Sequence, residues 1–157
     1  MNNKDIIEKF YTAFQNLDSK TMNSLLADDI EFEDPAFGKL KGDKVKYMWQ
    51  FLCENAKDFK VEFSDIKTKG NNGTGHWEAF YTFSLTGNKV HNIIDSTFEF
   101  ENGLIIKHKD DFDIKKWIKQ AMGSAIGIIG GSFFIKNTVR KQSNKYLEKY
   151  IRRNELF

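Results

Sequence analysis

Apolar positions near the N-terminus recur at helical spacing. Ile6, Ile7, Phe10, Phe14 and Leu17 predict an amphipathic helix over about residues 4–16. Ser19 reads as the N-cap of a second, short helix carrying Met22, Leu25 and Leu26. Ile30-Glu31-Phe32-Glu33 alternates as a short strand, and residues 34–42, with the only Pro and two Gly, read as a loop. A third helix gathers Val45, Met48, Trp49, Leu52, Cys53 and Ala56 on one face.

Beyond residue 60 the period falls from about 3.6 to 2, the mark of strands. Val61, Phe63 and Ile66 open a sheet, and residues 70–75, with three Gly, read as a turn. Trp77, Ala79, Tyr81, Phe83 and Leu85 then share one face, with His76, Glu78, Phe80, Thr82 and Ser84 on the other. In the next strand Val90, Asn92, Ile94, Ser96, Phe98 and Phe100 alternate with His91, Ile93, Asp95, Thr97 and Glu99. Asn102-Gly103 predicts a two-residue hairpin, since a type I′ turn needs positive φ at both positions. The last strand puts Leu104, Ile106, His108, Asp110 and Phe112 on one face and Ile105, Lys107, Lys109 and Asp111 on the other. Helical spacing returns with Ile114, Trp117, Ile118 and Ala121, and again in a basic stretch with Ile135, Val139, Tyr146 and Tyr150. Three helices, a four-strand antiparallel meander and further helices make an α+β fold.

Composition narrows the class. A length of 157 residues fits one compact domain, and a lone Cys53 excludes an internal disulfide framework. The 23 aromatics, 15 of them Phe, call for an aromatic core or a lined cavity. Net charge is split: residues 133–157 carry +5 and residues 1–132 carry −3. An acidic body argues against a nucleic-acid partner. The polar start Met1-Asn2-Asn3-Lys4-Asp5 carries no secretory signal, so a cytoplasmic setting is expected.

The run from Leu25 through Asp28-Asp29-Ile30-Glu31-Phe32-Glu33-Asp34-Pro35, then Phe98-Glu99-Phe100-Glu101-Asn102-Gly103 and His108-Lys109-Asp110, resembles the nuclear transport factor 2-like superfamily. Its members include ketosteroid isomerases and SnoaL-like polyketide cyclases. The resemblance spans about residues 4–113. It implies a cone-shaped curved antiparallel sheet packed against three N-terminal helices, with residues 1–113 as the cone domain and 114–157 as a C-terminal helical extension. It also implies an apolar pocket inside the cone, taking a small apolar or partly polar ligand, and a homodimer formed through the sheet.

Asp34 stands where the resemblance places a general base, and desolvation in such a pocket raises a carboxylate toward working pH. The steroid isomerase is itself a standard example of that tuning. The alternative is a turn cap before Pro35. The oxyanion donors of that reaction do not carry over: Phe10 occupies the Tyr position, Tyr11 is rotated away by about 100°, and regular alternation turns Asp95 outward unless a bulge restores it. Authentic steroid isomerisation is therefore not expected.

His108 and Asp110 form a second acid/base candidate, or a structural pair. Asn92, Ser96, Trp49, Phe98 and Phe112 are candidate ligand-binding or wall residues. His76 with Glu78 and His91 with Asp95 lack a third metal ligand at diagnostic spacing, so no metal or other cofactor is expected. Residues 120–135 are uncharged, with Gly123, Gly127 and Gly131 at four-residue spacing, and a basic amphipathic stretch follows. Residues 121–157 either pack over the cone or meet a membrane surface; the packing reading is preferred. Two function classes remain: a small-molecule-binding, cofactor-independent acid/base enzyme (isomerase, cyclase or dehydratase-like), or a non-catalytic interaction module of the same fold.

Overall fold

The computed structural model describes residues 1–123 and 133–155, with side chains from residue 136 onward in the second segment. The elements are α1 (Asn3–Gln15), α2 (Ser19–Ser24), β1 (Leu26–Asp34), β2 (Gly38–Lys41), α3 (Asp43–Glu54), β3 (Lys60–Lys69), β4 (Asn72–Thr82), β5 (Lys89–Glu101), β6 (Leu104–Asp111), α4 (Ile114–Met122) and α5 (Phe133–Glu155). Six strands form one open, curved sheet in the order β2-β1-β6-β5-β4-β3, packed against helices. This is the α+β class expected.

The sheet is mixed, however, because β1 runs parallel to β6 while every other pair is antiparallel. Residues 34–42 are not one loop: the chain turns only at residues 35–37 and returns as β2, pairing Phe32 with Leu40. Asp18, rather than Ser19, caps α2, its side chain accepting from the Thr21 amide at 3.0 Å. Asn102 and Gly103 both take positive φ, as the hairpin requires.

The turn after β3 is also shorter than the glycine run suggested. Gly73 and Gly75 lie within β4, buried under α1. A Cβ on Gly73 would stand 2.7 Å from Ile7 Cδ1, and one on Gly75 would stand 3.3 Å from Tyr11 Cε2. Missing side chains here let the helix settle into the concave sheet. Because the sheet curves around it, α1 buries a wide arc: Ile6, Ile7, Phe10, Tyr11, Ala13 and Phe14.

Alternation in the last strand fails at one point. The β5–β6 ladder steps from Glu99↔Lys107 to Phe100↔Ile105, so β6 carries one extra residue. That bulge returns Ile105 to the core, fully buried, although it was assigned the face opposite His108.

Helix α5 packs against α3. Leu147 is 1 % exposed, Tyr150 meets Phe51 edge to face at 5.4 Å, and Lys44 pairs with Glu148 at 2.9 Å. Gly127 and Gly131 of the glycine stripe lie outside the described residues, as does the side chain of Ile135. Among the described residues no helix is long and apolar enough to cross a membrane.

Candidate active site

Strand β6 aims His108 and Asp110 inward, 2 % and 4 % exposed. His108 Nε2 lies 2.8 Å from Asp110 Oδ1. The same oxygen accepts the hydroxyl of Ser96, which sits directly across the β5–β6 ladder. Ser96 Oγ in turn accepts Trp77 Nε1–H at 2.9 Å. A carboxylate only accepts, so Nε2 donates its proton in the bond to Asp110. Nδ1 is buried and has no partner among the described residues.

Four rings enclose His108. Phe98 stands 4.4 Å away between centroids, Phe32 5.3 Å, Phe10 5.5 Å, and Trp49 stacks nearly parallel at 5.6 Å. At this depth the interior is filled by aromatic side chains. Trp49 Nε1 and Tyr11 OH, both buried, also meet no hydrogen-bond geometry to a partner among the described residues. Burial pushes the Tyr11 phenol well above its ordinary value, the charge of Asp110 adds to the effect, and Ser96 opposes it.

Asp34 closes β1 at the rim, half-buried. The parallel register sets Phe32 beside His108 and Glu33 beside Lys109, so Asp34 follows beside Asp110 on the inward face. Asp34 Oδ1 accepts the Phe37 amide at 2.5 Å. Burial pushes its pKa up to about 7, helped by Asp110 and opposed by the amides of Phe37 and Ala36 and by Arg140. Tyr81 on β4 accepts Trp117 Nε1–H from α4 at 2.6 Å. Its phenol is pushed up to about 12, by burial first and also by the Asp34 charge. The rim therefore holds a carboxylate pushed toward neutrality by burial, a phenol and an indole.

The remaining predicted residues are dispersed. Asn92 is half-buried on the inward face opposite Ala79, and Phe112 packs half-buried just past β6. Asp95 points outward as alternation required, its side chain 81 % exposed and its carboxylate 2.8 Å from His76 Nδ1. Glu78 bridges His76 and His91 on that outer face. An open groove of about 610 Å³ crosses the same surface beside Lys109 and Asp111. No metal-binding group of three His, Cys, Asp or Glu occurs among the described residues. Cys53 is a buried packing residue against Met22 Sδ, its thiol pushed up to about 11 by desolvation.

Sequence reasoning passed over Trp77 and Trp117, took Tyr81 only as core or pocket wall, and turned Tyr11 away. A helix on a flat sheet would have turned Tyr11 away from the interior. The wrapped sheet buries it beside Ser96 and Asp110 instead, which corrects the expected orientation. The glycines at alternate positions of β4 were the available signal.

Three comparisons place this geometry among known proteins. An epoxide hydrolase-like protein of M. tuberculosis shares 21% identity and a TM-score of 0.63, over 82% of this chain and 95% of that one. A protein of unknown function from Burkholderia pseudomallei, described as NTF2-like, shares 19% identity and a TM-score of 0.68, over 78% and 100%. A polyketide cyclase assigned in Pseudomonas putida shares 14% identity and a TM-score of 0.65, over 77% and 98%. At these identities the likeness is one of fold. No curated protein matches the chain. The SnoaL-like domain model matches residues 7–108, well over half the chain, and the protein belongs to the SnoaL-like family.

Proposed function

We propose that the protein binds a small, partly polar molecule at the inner rim of the sheet and moves a proton on it, with Asp34 as the base. The observation that carries this reading is Asp34 itself. Burial pushes its carboxyl up to about 7 and Oδ2 lies outside the bond to Phe37, which suits it to take up and release a proton near neutrality. Asp110, held by His108 and Ser96, supplies the charge behind it. Tyr81 and Trp117 offer a phenol and an indole surface beside the base. Tyr11 OH, Trp49 Nε1 and His108 Nδ1 are the deeper polar atoms that a bound polar group satisfies once the aromatic rings shift. The M. tuberculosis structure of the same fold is described as an epoxide hydrolase, which supports a small-molecule substrate.

The test is proton exchange at an activated carbon. In D2O, the wild-type protein is expected to accelerate deuterium uptake next to the carbonyl of 2-tetralone, and Asp34→Asn to lose that acceleration. Equal rates for the two proteins would remove Asp34 from the role of base.

A second reading, the non-catalytic module, draws on the rings of Phe10, Phe32, Trp49 and Phe98 that occupy the interior around His108. It predicts no acceleration by either protein. Self-association belongs to the outer sheet face, where Ile93 is 41 % exposed beside the His76–Glu78–His91 cluster. Sedimentation of the wild-type chain against Ile93→Lys tests that assignment.

A further inference from the structure

Helix α5 lies beyond residue 108, where the family match ends, yet it touches the turn that carries the proposed base. Asn144 Nδ2 donates to the carbonyl of Phe37 at 2.8 Å, and the amide of the same Phe37 donates to Asp34 Oδ1. One residue therefore links the helix to the carboxylate through its two backbone groups. Arg140, one turn earlier, lies along Gly38: a Cβ there would stand 2.9 Å from Arg140 Cδ. Gly38 has φ +75°, so the chain needs glycine both for the turn and for this contact. The Arg140 guanidinium forms no ion pair within 4.0 Å among the described residues, and its charge acts on Asp34. The helix is not loosely laid: Leu147 is buried in the core and Glu148 pairs with Lys44 on α3.

We propose that α5 is a positioning element for Asp34, in which Asn144 holds the turn that binds the carboxylate and Arg140 sets the charge at its rim. The inference rests on Asp34 as the proton-transfer group. The titratable groups that face Asp34 are Asp110 on β6, the neutral phenol of Tyr81 on β4 and Arg140 on α5. Loss of the Arg140 charge removes the one cation among them and favours the neutral carboxyl.

The experiment needs no substrate. The full chain, labelled with 13C at the Asp side-chain carboxyls, is titrated by NMR as wild type, Arg140→Met and Arg140→Lys. The expected result is a higher Asp34 midpoint in Arg140→Met, with Arg140→Lys close to wild type. In parallel, amide exchange is followed in Asn144→Ala. The Phe37 amide is expected to exchange roughly tenfold faster, while the Ile105 amide, bonded to Leu25 O within the core, keeps its protection. Unchanged midpoints together with unchanged Phe37 exchange overturn the proposal. So does faster exchange at Phe37 and Ile105 alike, which makes α5 a general stabiliser only. Because these readings are taken on the free protein, a failed tetralone assay leaves them standing, and their failure leaves the assay intact.

Discussion

His108 and Asp110, two residues apart on one strand, are joined through Nε2 and Oδ1 at 2.8 Å, with both side chains sealed from solvent. Asp110 Oδ1 is the common acceptor for His108 and Ser96, and Ser96 holds Trp77. Truncation of the carboxylate therefore strands two buried donors at once, His108 Nε2–H and the Ser96 hydroxyl. Asp110→Ala is expected to lose ~3 kcal/mol or more in urea unfolding, since each unmet buried group costs about 1–3 kcal/mol. Asp110→Asn keeps an acceptor and should cost less. The same change removes a negative charge near Asp34, so the Asp34 midpoint should fall. A midpoint that stays or rises in Asp110→Asn would falsify the electrostatic coupling of the two carboxylates.

Asp34 contributes to stability with a definite sign. Its folded pKa, about 7, stands above the ordinary carboxylate value of 3.8, so the folded protein holds this proton more tightly than the unfolded chain. Stability from this group is full below pH of about 4 and is lost as pH rises through about 7, by up to ~4 kcal/mol. Asp34→Asn retains the acceptor for Phe37 and carries no charge to bury. Thermal unfolding should show the variant more stable than wild type at pH 8, with the difference vanishing near pH 4. A variant less stable at pH 8 than at pH 4, relative to wild type, contradicts the burial of an ionised Asp34.

Much of this fold was legible because alternation and helical spacing report burial directly. The inward set Asn92, Ile94, Ser96, Phe98 and Phe100 and the outward Asp95 followed from period two alone. Ile105 did not, since a bulge changes the face of every residue on one side of it and leaves no mark in composition. The parallel β1–β6 pair was equally hidden, because strand pairing across some 75 residues has no local signature. That pairing is what sets Asp34 beside Asp110. Asp34 and Asp110 were visible as candidates; their adjacency was not. Arg140 and Asn144 lay in a basic stretch that read as packing over the cone or meeting a membrane surface, and only tertiary contact ties them to Phe37 and Asp34.

The glycines of β4 make a steric prediction. Gly73 faces Ile7 Cδ1 at 2.7 Å and Phe100 Cε2 at 3.1 Å from its virtual Cβ. The methyl end of Ile7 has some freedom to yield, so Gly73→Ala should cost ~1–2 kcal/mol and Gly73→Val ~3 kcal/mol or more, the range of core overpacking and beyond. Gly75→Ala acts differently, pressing on the Tyr11 ring beside Ser96. It should perturb the Trp77 indole N–H resonance, which reports on Ser96, with a smaller loss in melting temperature than Gly73→Val. If Gly73→Val melts with the wild type, α1 does not rest on β4 as closely as these distances require.

Leu147 anchors the C-terminal helix by hydrophobic burial, and its removal separates packing from the polar clamp. The side chain is 1 % exposed, while its neighbours on the helix, Tyr146 and Glu148, face solvent. Leu147→Ala should destabilise the fold by ~2–4 kcal/mol, the usual cost of emptying a leucine site. If α5 docks as one unit, the loosened helix also weakens the bond from Asn144 to Phe37. Exchange at the Phe37 amide should then rise by a larger factor than exchange at Ile105, whose protection tracks global unfolding. Equal factors at the two amides would mean that α5 leaves only when the whole domain unfolds, so that its grip on the Asp34 turn is as strong as the core itself.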